Sequence, residues 1–519
     1  MISLVLLFAV GAFARPETCD YTPWSQCEGT SLCHKGHNVA FKLQETTYDV
    51  GREVMKTMMA KKIESARLRQ ECRDAGECPE LMGNMPTEGP ITCSAGVSAG
   101  TYPGSSTSKS CSNVDQVAFL SLDELDLTSG LISGRESNDV WGWTDPVNGE
   151  EYVIMGLTTG TSFVRISPDP ENPTVVAFML TKTQTSTWRD IKVVNNYAFV
   201  GSEARQHGIQ VFDLTRLRGQ TNLGLVEEDV DYVRVGNTHN IVANEDSGFV
   251  YAVGATEGGG LYEPCSAGLH FIDATNPADP FFAGCYSADG YTHDAQCVNY
   301  NGPDVNYVGR EVCFAYNEDS LTIVDVTNKA SPSLISKVTY PNFSYTHQGW
   351  VTEDHTTVLL DDETDEYYST AGSQNTRTYV WDVSTLSNPV LKSTHVSNQI
   401  SIDHNQYIVG DLTYQSNYES GLRILRVDQN AYTLTEVGHF DVYPGAGADF
   451  YGTWSNYPYF ASGVVALTSI EYGLYLVRPN IAAMEMAYES NLTGTQTRSS
   501  WNSQQCPMQT QACEAPKCY

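Results

Sequence analysis

The sequence predicts an all-β fold, a seven-bladed β-propeller preceded by a small cysteine-rich, partly helical head. Three observations carry this. A polar signature recurs at a nearly fixed spacing, each recurrence is followed by further strands, and a lone strand precedes the first repeat. The signature is clearest as Tyr291-Thr292-His293-Asp294 and Tyr345-Thr346-His347-Gln348, and returns as Asn237-Thr238-His239-Asn240 and Ile402-Asp403-His404-Asn405. Trp188-Arg189-Asp190 and Thr453-Trp454-Ser455 carry it without histidine, and Ser137-Asn138-Asp139 opens the series. Its last residue falls at Asp139, Asp190, Asn240, Asp294, Gln348, Asn405 and Ser455, in steps of 51, 50, 54, 54, 57 and 50 residues. A period of this size marks a propeller or a solenoid.

Each repeat then holds a strand rich in β-branched and aromatic residues, such as Gly208-Ile209-Gln210-Val211-Phe212-Asp213 or Arg377-Thr378-Tyr379-Val380-Trp381-Asp382. A turn with Asn and Pro follows in several copies, as in Ala274-Thr275-Asn276-Pro277. With an apolar run such as Tyr197-Ala198-Phe199-Val200 between, each repeat supplies four short strands, the content of one blade. The seventh repeat ends at Arg478 one strand short, and the orphan strand at 117–122 is placed to complete it. A ring closed by both ends of the chain leaves no unpaired edge.

Around the propeller at 114–479 the sequence predicts a signal peptide at 1–15, a head at 16–113 and a polar cysteine-containing tail at 480–519. Residues 1–14 form a short apolar run ending in small residues, too short to span a bilayer. A stretch from 37 to 73 reads helical and carries the basic cluster Lys56, Lys61, Lys62, Arg67 and Arg69, a solvated face or a contact to an acidic surface. Fourteen cysteines behind a signal peptide point to disulfides in an oxidising compartment. Cys265 with Cys285 and Cys297 with Cys313 fall on neighbouring strands, and Cys93 with Cys111 clips a Gly/Ser/Thr-rich loop. The remaining head and tail cysteines are odd in number on each side, so at least one bridge between head and tail is expected. Asn342 and Asn491 open glycosylation sequons.

The formal net charge of −32 argues against nucleic acid or an anionic membrane as partner. It fits a solvated acidic surface, calcium, or basic partners.

Two chemical readings follow from the ring. First strands line a propeller's channel, so His239, His293, His347 and His404 form part of one ring, with Asp190 and Asp294 beside them. Imidazoles from four consecutive blades with carboxylates nearby suit iron, copper or zinc. The alternative is that these residues bond to the neighbouring blade and fix its packing, a task every blade shares. A second candidate is acidic: Asp361, Asp362 and Glu363, with Glu203, Glu318 and Glu471 at comparable ends of second strands, either a calcium site or solvated loop carboxylates. No nucleophile elbow, phosphate-cradling glycine loop or zincin helix is present.

These strings, with Ser186-Thr187-Trp188-Arg189-Asp190-Ile191 and Tyr345-Thr346-His347-Gln348-Gly349-Trp350 among them, make the chain similar to the choice-of-anchor B family of secreted LVIVP-repeat proteins, over roughly residues 93–479. The resemblance implies a secreted β-propeller and assigns no activity to any residue. Family members often end in a surface anchor, and this chain carries no hydrophobic tail. The expected function is a secreted binding or scaffold protein whose partner is an extracellular protein or glycan. The alternative is a metal-dependent oxidoreductase or hydrolase working at the axial histidines, with calcium, zinc, iron or copper as the ion.

Overall fold

Seven sheets stand side by side around a channel, antiparallel except for a short parallel strand at the rim of the first, and in five of them the strands run in chain order from axis to rim. The computed structural model describes residues 60, 61, 64, 67, 71, 88–94, 97–103, 105–128, 135–256, 265–482 and 484. The innermost strands are Ser137–Thr144, Arg189–Val194, Asn240–Asn244, Asp294–Asn299, Thr346–Val351, Asn405–Val409 and Asn456–Tyr457, and each packs against the next. The protein is a seven-bladed β-propeller.

The core lies between blades rather than in one central mass. One apolar cluster joins Phe199, Val211, Ile241 and Val250 across blades two and three; another joins Tyr251, Phe271, Ala295 and Val324 across blades three and four. Strands packed on both faces lose the alternation of a half-exposed sheet: all residues of Glu151–Leu157, Glu311–Tyr316 and Thr357–Asp362 are buried. The outermost strand Val390–Ile400 alternates exposed and half-buried positions along its whole length.

The orphan strand closes the ring. Val114–Ser121 pairs antiparallel with Gly473–Pro479, Ser121 opposite Gly473, as the fourth strand of blade seven. Phe119 packs on Tyr475 with ring centres 4.6 Å apart. The three disulfides read from the sequence, Cys93–Cys111, Cys265–Cys285 and Cys297–Cys313, are all formed, with Cα separations of 6.0, 5.6 and 4.0 Å.

Two boundaries differ from the sequence reading. Val97–Thr101 and Ser108–Ser112, assigned above to the head, extend blade six to six strands by pairing onto Thr433–Phe440. The reason is backbone satisfaction, since the outer edge of blade six offers the hairpin a partner and loses an open edge itself. The start of the tail is also ordered: Asn480 donates its N–H to Asn113, and Met484 is fully buried beside Val114 and Phe440.

Residues 60, 61, 64, 67 and 71 are helical, as expected; Arg67 pairs with Glu64 and Glu71 on an exposed face, and the Lys61 ammonium stands 4.1 Å from the Tyr367 ring centre. The signal-peptide segment, Lys56, Lys62, Arg69, Asn491 and the other head and tail cysteines lie outside the described residues. Asn342 is exposed. Among the described residues no helix is long and apolar enough to cross a membrane.

Candidate metal centre at the axial end of the channel

In an antiparallel pair the start of the first strand and the end of the second lie at the same end. The histidines stand at or just before the first strands, and Glu203 and Glu363 directly follow second strands. Side chains from both sets therefore meet at one end of the channel. His239, His293, His347 and His404 form a continuous arc there, with successive ring centres 4.2, 4.2 and 4.4 Å apart. All four are buried.

Three of their Nδ1 atoms are committed to hydrogen bonds. His293 Nδ1 lies 2.9 Å from the carbonyl of His347, and His404 Nδ1 lies 2.5 Å from that of Trp454. His239 Nδ1 meets Glu203 Oε1 at 2.5 Å. A carbonyl oxygen only accepts, so Nδ1 carries the proton in His293 and His404, and the lone pair of the neutral ring falls on Nε2. The carboxylate of Glu203 selects the same tautomer in His239. His347 is held more loosely, Nδ1 standing 3.5 Å from Asp361 Oδ1.

Glu363 faces this arc. Its Oε2 is 3.7 Å from His347 Nε2, and its Oε1 is 3.7 Å from His404 Nε2. Tyr418 donates its hydroxyl to Oε1 at 2.5 Å. Burial, the Glu363 charge and Asp403 hold the Tyr418 phenol well above its ordinary range, so it stays a donor. His293, His347 and Glu363 bring one ligand atom each within 4.8 Å of the others, and this is the closed set of at least three such ligands among the described residues. Ligands bonded at about 2.1 Å to one tetrahedral ion stand about 3.4 Å apart. The 3.7 Å between His347 and Glu363 is close to that spacing.

Other predicted residues do different work. Asp190 and Asp294 lie outside the converging set. Asp190 accepts from Lys192 Nζ at 3.0 and 3.1 Å and from the backbone N–H of Ile241 at 2.7 Å, which fastens blade two to blade three. Asp294 accepts from its neighbour Ala295. Burial raises both carboxyls, Asp190 well above its ordinary range and Asp294 to about 7, although Lys192 opposes the shift in each. The fastening recurs: Asp139 accepts from Ile191, Asn240 donates to the His293 carbonyl, Gln348 exchanges two bonds with Gln406, and Asn405 donates to the Trp454 carbonyl. In five of the seven copies the signature's last residue is thus a blade-to-blade fastener, and His239, His293 and His404 before it also bond to a neighbouring blade.

Asp361, Asp362 and Glu363 are neither a common calcium site nor solvated; all three are at most 2 % exposed, and they diverge. Alternation along the strand sends Asp361 to Gln348 and Gln406, while Asp362 accepts from Tyr340, Ser344 and Tyr345. Glu363, just past the strand, is left for the histidines. Of the other acids, Glu203 reaches His239, while Glu471 accepts from the Gly452 N–H and Glu318 pairs with Thr346 through the backbone. Tyr418 was not singled out from sequence, since no other repeat supplies a tyrosine there.

Residues 304–340 match the LVIVD repeat. The matched segment spans the second, third and fourth strands of blade four, so the LVIVD repeat here coincides with strands of one blade. A propeller with an LVIVD repeat suits a binding or scaffold role. No curated protein matches the chain. A protein of known crystal structure from Lactobacillus plantarum aligns with a TM-score of 0.41 and 11% identity, over 64% of this chain and 89% of that one.

Proposed function

We propose that this is a secreted, metal-binding propeller of the choice-of-anchor B type, holding one divalent transition ion at the axial end on His293, His347 and Glu363. His239 and His404 flank the ion in the same arc. One observation carries the reading: two buried imidazoles and a buried carboxylate, His293, His347 and Glu363, bring one ligand atom each within 4.8 Å of the others. Hydrogen bonds that fix tautomer and ring orientation are what ligating histidines use. Imidazole with carboxylate suits zinc, copper or iron rather than calcium. The disulfides support an oxidising compartment, and exposed Asn342 suits glycosylation there.

The test is elemental mass spectrometry on protein secreted from a eukaryotic host without a histidine tag. Near-stoichiometric zinc, copper or iron, lost in a His293→Ala/His347→Ala variant, is the expected result. Wild-type protein that neither carries these metals nor takes them up after purification defeats the reading. The arc would then be a packing device of a propeller that binds partners through its loops.

A further inference from the structure

Behind the axial arc, between blades five and six, lies a second polar cluster that the proposed transition-metal site does not use. Asp365 and Glu366 follow Glu363 closely and are wholly buried; Asp403, just before His404, is 3 % exposed. Asp365 Oδ2 accepts from the Tyr379 hydroxyl at 2.7 Å, and Glu366 Oε1 accepts from the Arg377 backbone N–H at 2.9 Å. Their other oxygens, Asp365 Oδ1 and Glu366 Oε2, have no hydrogen-bond partner, and neither does either oxygen of Asp403. Asn417 Oδ1, also buried, is in the same state.

Arg377 faces the cluster without neutralising it. Its Nη2 donates to the carbonyl and hydroxyl of Ser373, while Nη1 stands 3.6 Å from Asp365 Oδ1 and 3.9 Å from Glu366 Oε1 and makes no hydrogen bond. Asp403 is set among the charges of Glu366, Asp361, Asp365 and Asp362. Leaving a buried carboxylate without a counterion costs several kcal/mol. Asp365 and Glu366, facing each other beside one guanidinium, and Asp403 in the field of both thus leave room for a further positive charge.

We propose that Asp365, Glu366 and Asp403 hold a hard divalent cation of the calcium class between blades five and six. The donors are all oxygens, and calcium takes six to eight oxygens. Across a calcium ion with bonds of 2.3–2.6 Å, opposite oxygens stand about 5 Å apart. The cation ties blade five to blade six directly behind His404 and Glu363. It shares no ligand with the axial site and stands or falls separately from it.

The test uses the full chain, stripped with EDTA and titrated with calcium alone by calorimetry at pH 7.5, with terbium as a luminescent substitute excited through the tyrosines. Wild type is expected to bind one calcium at this site and to gain thermal stability from it, with terbium emission lost as calcium displaces it. Asp403→Asn and Glu366→Gln each weaken binding at least tenfold, whereas His293→Ala/His347→Ala keeps it. In EDTA the Asp403→Asn protein melts no lower than wild type, because it has lost an uncompensated charge. Absence of calcium uptake by wild type, or uptake unchanged in both carboxylate variants, overturns the proposal. So does an Asp403→Asn protein unfolded in EDTA, which would show the carboxylate holding the fold without a cation.

Discussion

His293 donates from Nδ1 to the backbone carbonyl of His347 at 2.9 Å, and the two imidazoles stand 4.2 Å apart between ring centres. One hydrogen bond thus fastens blade four to blade five and leaves the lone pair of the neutral His293 ring on Nε2. The two readings of a repeated histidine, packing device or metal ligand, are compatible because the two ring nitrogens divide the work. The accepting group at His347 is its backbone, and this asymmetry separates two otherwise similar substitutions. Both His293→Ala and His347→Ala should lose the proposed axial metal. In EDTA, His293→Ala should be the less stable of the two by about 1 kcal/mol, the net worth of a lost hydrogen bond. Urea unfolding of the two metal-free variants gives the difference.

Tyr418 reaches the same site from blade six without being a ligand. Its hydroxyl bonds to Glu363 Oε1, and its ring stands 4.8 Å from that of His404. Tyr418→Phe keeps the ring and removes the bond that orients the carboxylate. Metal affinity should fall about 10- to 100-fold while all ligands remain. Competition against a chelator of known affinity measures this, and an unchanged affinity would mean that Glu363 is not a ligand.

Closure of the ring rests on side chains as well as backbone pairing. Phe119 is 1 % exposed, in a cluster with Tyr475, Phe440 and Val465 where blades six and seven meet. Phe119→Ala should cost about 3–5 kcal/mol, as a large aromatic removed from a packed core does. Phe281, 55 % exposed on the rim of blade three, is the matched control, and its alanine variant should lie within about 0.5 kcal/mol of wild type. Chemical denaturation of both variants checks the contrast. An equal effect at the two positions would argue against closure by this strand.

The ring was legible in the sequence because the period near 50 residues repeats a packing problem, and every blade answers it with a polar residue at the same place. Closure was legible for the same reason, since a seventh repeat lacking a strand and an orphan strand before the first are complementary. The positions of the four histidines followed from ring geometry alone. What each ring nitrogen bonds to did not, because the acceptors, Glu203 and the carbonyls of His347 and Trp454, belong to neighbouring blades some 36 to 54 residues away. The run Asp361-Asp362-Glu363 reads as a calcium site or as solvated loop carboxylates, yet it is buried, as are Asp365 and Glu366 after it. Their partners Tyr340, Tyr379, Gln406 and Tyr418 are ordinary strand or turn residues with no local signal.

A last prediction concerns pH and a histidine outside the ring. His270, in the third strand of blade three, is 1 % exposed; its Nε2 lies 2.8 Å from the Tyr232 hydroxyl and its ring 4.8 Å from Phe282. Burial, with a smaller contribution from Arg234, lowers its pKa from 6.5 to about 4. Between those values the unfolded chain binds the proton and the folded protein does not, so stability falls as pH drops through this window and is fully present above it. By pH 5 the loss amounts to about 2 kcal/mol for this one group. His270→Gln cannot titrate, so it should be the less stable protein at pH 7.5, and its deficit against wild type should shrink by about that amount at pH 5. Comparing the two proteins at each pH cancels the titration of groups they share, the raised carboxyls of Asp294 and Glu419 included. A deficit that stays constant between pH 7.5 and 5 would mean that His270 takes up its proton as readily in the fold as in the unfolded chain, with no lowering by burial.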